Sequence, residues 1–213
     1  MLTVSYGRAG ASRTRVLADV GAKKESNSDY RVIDVGGNAI GWSAPIVDMV
    51  VDINSEPSDR SIKFDICRAS EWDQLLEIVA RDGKYDYAIC THTLEDVYNP
   101  FTALDLLPKV AKAGIITMPS ISTELSRIEN IDYIGFIHHR WIFDKEDNHV
   151  IALPKLSFLE ALVKDTVRQD LDTDEICYDW EDTIPYKYFM DNFLGPNPPA
   201  VIDEYTKFIT ARI

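Results

Sequence analysis

Over the first 120 residues, short apolar runs alternate with amphipathic stretches, and the spacing predicts strands at 30–35, 48–53, 62–66, 85–91 and 114–118. Between the third and fourth strands, Trp72, Leu75, Leu76 and Val79 recur at helical spacing behind a capping-box-like start at Ser70 and Asp73. Asn99-Pro100 has the form of an N-cap and first helical position, with Leu104, Leu107, Val110 and Ala111 as the apolar face. Pro108 is expected to kink or split that helix. Upstream, 12–20 predicts a short helix ending at Gly21, followed by a polar link. After Pro119 the pattern changes. Segments 133–143 and 149–153 read as a hairpin around the charged turn DKEDN, Ser157 as the cap of a helix, 175–180 as a strand, and 201–210 as a terminal helix.

The five early strands lack polar faces, as strands covered on both sides do. The fold expected is α/β and Rossmann-like: a mainly parallel central sheet with an antiparallel edge hairpin and helices on both faces. A chain of 213 residues suits one domain. Residues 1–29 read as an N-terminal arm with a helix, 30–120 as a cofactor-binding half, and 121–213 as an acceptor and edge half.

Composition narrows the choices. The formal net charge of −13 argues against a groove for nucleic acid, which needs Lys and Arg to neutralise phosphates. The one basic region, Arg8, Arg13 and Arg15 with Lys23 and Lys24, reads as a solvated arm. Cys67, Cys90 and Cys177 are odd in number and show no metal-ligand spacing, which suggests reduced, buried thiols and a cytoplasmic protein. No apolar run approaches a membrane span.

Candidate chemistry starts at YRVIDVGGNAIG, residues 30–41, followed by MVVDIN at 49–54. A strand ends in Asp34 and runs into a glycine-rich loop, and the next strand ends in Asp52. Glycines allow a ligand close to the backbone, and a carboxylate at the next strand end can accept ribose hydroxyls. An ordinary turn would use Gly36 and Gly37 equally well.

The stretch KYDYAICTHTLEDVYNPFTALDLLPKVAKAGIITMPS adds Tyr85-Asp86-Tyr87-Ala88, His92-Thr93-Leu94-Glu95-Asp96-Val97, Asn99-Pro100, Lys112-Ala113-Gly114 and Pro119. In that order these parts resemble the class I S-adenosylmethionine-dependent methyltransferases, in the branch called methyltransferase type 11, over residues 30–120. The resemblance implies S-adenosylmethionine as cofactor and a small-molecule or sugar-like acceptor. It implies Gly36, Gly37 and Asn38 at the methionine part, Asp52 and Ile53 at the ribose, Asp65 and Ile66 at the adenine, and Thr91 and His92 near the sulfonium. The chain departs from the family in keeping only Gly36 of the loop glycines in register, in leaving little room for a helix after the loop, and in placing Asp96 where histidine is common. A non-catalytic binding module and a nicotinamide-dependent oxidoreductase are the alternatives.

An acceptor that must lose a proton needs a base, and histidine titrates near neutrality. The run FIHHRWIFD offers His138 and His139, expected on opposite faces of a strand so that one at most enters the cleft. Both serve equally well as structural hydrogen-bonders. Trp141, Phe143, Tyr178, Trp180, Tyr186, Tyr188, Phe189 and Phe193 suit an acceptor pocket, a core or a homodimer interface. The segment IPYKYFMDNFLGPNPPA reads as a lid or interface loop.

Overall fold

A computed structural model describes residues 1–163, 172–189 and 197–212. Strand β1 (Leu2–Gly7) leads through Gly10 into helix α1 (Ala11–Ser26). Then follow β2 (Val32–Val35), β3 (Met49–Val51), the short β4 (Ser61–Ile62), a 3-10 turn with α2 (Asp73–Asp82), β5 (Tyr85–Thr91), α3 (Pro100–Val110) and β6 (Ala111–Pro119). The rest comprises α4 (Ile121–Glu124), the hairpin β7 (Trp141–Glu146) and β8 (His149–Pro154), α5 (Leu159–Leu162), β9 (Glu175–Glu181), β10 (Tyr186–Tyr188) and α6 (Pro198–Thr210).

Seven strands form one sheet in the order β1-β9-β6-β5-β2-β3-β4. The run β6-β5-β2-β3-β4 is parallel throughout, and β9 is antiparallel to both of its neighbours. This is the Rossmann-like architecture expected, with strand order reversing on either side of β2. The antiparallel strand is β9, however, and the β7–β8 hairpin does not join this sheet. It pairs with β10 in a separate three-stranded sheet.

Three apolar layers hold these pieces. On one face, Ile33, Val35, Ala88, Cys90, Ile116 and Tyr178 pack with Trp72, Leu75, Leu104 and Leu107 of the helical units and with Phe143 and Ala152 of the hairpin. On the other face, Val16 and Val20 of α1 join Ile46 and Val47 of the loop after β2 to cover Val32, Val50, Ile89 and Ile115. The far side of the hairpin, with Ile142, Ile151 and Leu153, packs on Leu159, Tyr205, Phe208 and Ile209.

The N-terminus differs from a solvated arm. β1 pairs with β9 from Leu2–Trp180 to Gly7–Glu175, and α1 continues through Gly21 to Ser26. Alternating residues of LTVSYG satisfy a sheet edge, a pattern too short to stand out in sequence. Of residues 62–66 only Ile62 lies in a strand, at the end of β4. α2 has no side-chain cap, and Phe158, not Ser157, occupies the N-cap of α5. Pro108 sits in the last turn of α3 without ending it early, because the helix stops two residues later at Val110. Among the described residues, all three cysteines are free and buried, and no helix is long and apolar enough to cross a membrane.

Candidate functional site

The carboxyl ends of β2, β3 and β5 open into a cavity of about 570 Å³ at the point where the strand order reverses. That is the place where open α/β sheets bind ligands, and the size falls within the usual small-molecule range of about 300–1,000 Å³. Gly36, Gly37, Asn38, Asp52, Thr91 and His92 line it, so six of the residues singled out from sequence meet there. Ile53, Asp65 and Ile66 do not line it. Ile53 is exposed, and Ile66 is buried in the core. Asp65 accepts the Cys67 amide at 2.9 Å and pairs with Arg68 at 3.2 Å. The strand that was to deliver Asp65 and Ile66 stops at Ile62, four residues before Ile66, which removes them from the strand-end row.

Local geometry explains both glycines. Gly36 has φ of +84°, and its N–H donates to Val51 O at 2.7 Å, tying the loop to β3. A Cβ at Gly36 would overlap the Thr93 side chain, and one at Gly37 would overlap the Asp34 carboxylate. The chain therefore crosses directly over Asp34. That side chain is 2% exposed and accepts a hydrogen bond from Ser43 Oγ. Burial raises its pKa to about 6, the Ser43 bond offsetting part of the shift. Asp52 is closer to solvent and accepts the Asn54 amide at 2.7 Å.

Sequence reasoning missed Asp34 as a lining side chain, along with Arg13, Ser43 and Ser61. Arg13 reaches the cavity from α1, with its guanidinium 5.9 Å from the Trp42 ring. Its Nε and the Ser61 Oγ are buried without a hydrogen-bond partner. Nothing near Asp34 in sequence signals Arg13, because only the folding of α1 onto the sheet brings them together.

His92 forms the wall between this cavity and a second one of about 460 Å³. Its φ of +50° follows β5, and its N–H donates to Thr117 O at 2.8 Å. Nε2 lies 2.9 Å from Glu175 Oε1 and Nδ1 lies 3.4 Å from Glu95 Oε1, both carboxylates being fully buried. Burial by itself would lower the His92 pKa, but the two carboxylates prevail and raise it to about 9. The ring is thus an imidazolium at neutral pH.

The second cavity is lined by His92, Glu95, Asp96, Phe136, His138 and His139, among others. Both histidines of the pair face it, contrary to the expectation that only one would. The reason is local: β7 begins at Trp141, so the pair lies in a turn and strand alternation does not apply. His139 Nδ1 lies 2.5 Å from Glu124 Oε1, while the Nε2 atoms of His139 and His138 lie 3.5 and 3.6 Å from Asp96 Oδ1.

The aromatic group of the C-terminal third is spent largely on packing. Phe143, Tyr178 and Trp180 are core. Trp141, Tyr186 and Tyr188 stack around Phe101, and Phe189 packs on Tyr205 and Phe208. Phe193 and the centre of the 184–200 segment lie outside the described residues.

No protein-family model matches the chain, and no curated protein does. Among solved structures, it is similar to the methyltransferase domain of a bacterial Hen1, CtHen1 (12% identity, 80% of this chain and 98% of that one, TM-score 0.40). It is also similar to a cyclopropane-fatty-acyl-phospholipid synthase-like protein from Lactobacillus casei (13%, 83% and 94%, TM-score 0.37). A third is the N-terminal domain of EvdMO1 with SAH bound (10%, 82% and 82%, TM-score 0.37). At such TM-scores these likenesses assign neither family nor chemistry to this chain.

Proposed function

We propose that this protein is an S-adenosylmethionine-dependent methyltransferase acting on a small-molecule or sugar-like acceptor. The observation that carries the reading is the charge arrangement of the strand-end cavity. Asp34 lies buried beneath Gly37, Arg13 lines the same space with its Nε lacking a hydrogen-bond partner, and Asp52 stands at the next strand end. An amino-acid moiety has the complementary pair: its ammonium suits Asp34 and its carboxylate suits Arg13. Asp52 is placed for two ribose hydroxyls, and charge-assisted bonds of this kind are about twice as strong as neutral ones. The residues therefore fit the group.

When bound, the cofactor supplies a methyl group on a sulfonium, already activated for displacement. The chain's task is alignment, which can contribute several kcal/mol. Gly36 and Gly37 permit close approach, Thr91 and His92 border the side facing the second cavity, and that cavity receives the acceptor. The His138, His139 and Asp96 group borders that cavity at the point where the acceptor would lose its proton.

Isothermal calorimetry with S-adenosylmethionine, S-adenosylhomocysteine and NAD tests the reading. Binding of the first two and not the third is expected. Asp52→Asn removes the charge and one acceptor, and should weaken binding by roughly 1.5–3 kcal/mol, tenfold to somewhat over a hundredfold. Absence of binding at millimolar cofactor overturns the proposal, and unchanged affinity in a folded Asp52→Asn protein overturns the placement of the ribose.

A further inference from the structure

Three side chains converge at the mouth of the second cavity. Asp96 comes from the loop after β5, and His138 and His139 come from the turn before β7. One ligand atom from each lies within 4.8 Å of the others. The Asp96 Oδ1 to Nε2 distances of 3.5 and 3.6 Å match the edge of a tetrahedron whose corners lie about 2.1 Å from its centre, which is roughly 3.4 Å. Hydrogen bonds between the same atoms would be nearer 2.9 Å.

The support behind His139 fixes its orientation. Its Nδ1 meets Glu124 Oε1 at 2.5 Å, and Glu124 is itself buried and held by Lys155 Nζ at 2.9 Å on its other oxygen. Nδ1 therefore carries the proton that Glu124 accepts. That leaves Nε2 as the ring atom available to a cation shared with the Asp96 carboxylate 3.5 Å away. Carboxylate, histidine and ion in line is how proteins orient imidazole ligands to metals.

A second observation points into the same space. Glu95 lines this cavity at 1% exposure, and both its carboxylate oxygens are buried without a hydrogen-bond partner. His92 Nδ1 at 3.4 Å forms an ion pair with it, outside hydrogen-bonding geometry. The pair balances its charge, and oxygens without a hydrogen-bond partner keep acceptor capacity for a water molecule held on a nearby ion.

We infer that Asp96, His138 and His139 form a binding site for one divalent transition-metal ion, with coordination positions open to the acceptor cavity. Two imidazoles and a carboxylate select ions such as Zn²⁺, Co²⁺ or Mn²⁺ over Mg²⁺ and Ca²⁺, which prefer all-oxygen shells. Asp96 and His138 are half-exposed, with side chains at 43% and 58%, so the ion has a path of entry. The inference rests on these side chains alone and stands whether or not the first cavity holds S-adenosylmethionine.

The test uses the full, tag-free chain, stripped with chelator and titrated with Co²⁺ and with Zn²⁺ in the absence of other ligands. One equivalent should bind, with visible d–d bands from Co²⁺ that Zn²⁺ displaces. Asp96→Asn and His138→Ala, both at exposed positions, should each weaken binding at least tenfold while thermal unfolding of the metal-free protein is unchanged. Glu124→Gln should weaken it by about 10–100-fold, as loss of a ligand's supporting carboxylate does. No Co²⁺ or Zn²⁺ binding at millimolar ion overturns the inference. So does equal binding by Mg²⁺, or binding that both exposed-position variants retain in full.

Discussion

Asp34→Asn separates the cost of a buried carboxylate from its use. Asp34 has its pKa raised from 3.8 to about 6, so the folded protein holds this proton more tightly than the unfolded chain does. Its contribution to stability therefore falls as pH rises from about 4 to 6 and stays low above that. At ~1.36 kcal/mol per pKa unit the full penalty is about 3 kcal/mol at pH 8 and roughly 1.6 kcal/mol at pH 5. Asparagine cannot ionise and keeps a carbonyl for the Ser43 hydroxyl, although its amide leaves a donor to satisfy. Whatever that donor costs, it is the same at both pH values. The advantage of the variant over the wild type should thus grow by ~1.4 kcal/mol between pH 5 and pH 8. For a domain of this size that is a relative shift in Tm of about 3–6 °C. Urea unfolding of both proteins at the two pH values measures it directly. A difference that does not change with pH refutes the reasoning, since burial would then not be what holds the Asp34 proton. Cofactor binding should move the other way: with the ammonium partner gone, affinity for S-adenosylmethionine drops in the variant at pH 8. The wild type should itself bind more weakly below pH 6, where Asp34 is protonated.

Two further outcomes follow from the same geometry. His92 has its pKa raised to about 9 between Glu95 and Glu175, so its stabilising charge is fully present below 6.5 and lost as pH rises through about 9; unfolding free energy should fall over that window in the wild type and not in His92→Gln, and parallel profiles would refute the assignment. Gly36→Ala must adopt a φ near +84° and overlap Thr93, so chemical denaturation should show a loss of about 2–4 kcal/mol, and a loss under 1 kcal/mol would mean that the loop relaxes freely.

Local pattern was enough for the parallel half of the fold. The all-buried VIDV of β2 and the YDYAICT of β5 announce themselves as apolar-rich runs, because strands covered on both faces have no strict polar alternation to dilute them. The Asp34-to-Gly37 turn and Asp52 were legible for a related reason. Strand ends and glycines are constrained by backbone geometry within a few residues, and the switch point of the sheet then gathers them. What escaped was everything set by contacts between distant segments. β1 owes its place to β9, some 170 residues later, and Arg13 reaches the cavity only because α1 covers the face left bare by a loop without a helix. The hairpin was visible as a hairpin, but its separate sheet depends on β10 and on two apolar layers that local spacing does not encode. The same division runs through the second cavity. Two adjacent histidines are plain in the sequence, yet their shared direction depends on β7 starting at Trp141, and their partners Asp96 and Glu124 arrive from the loop after β5 and from α4. Sequence determines which groups are available and the local shape of each turn. Packing of separate layers decides which of those groups meet, because the free energy of burial belongs to the whole core and not to any one segment.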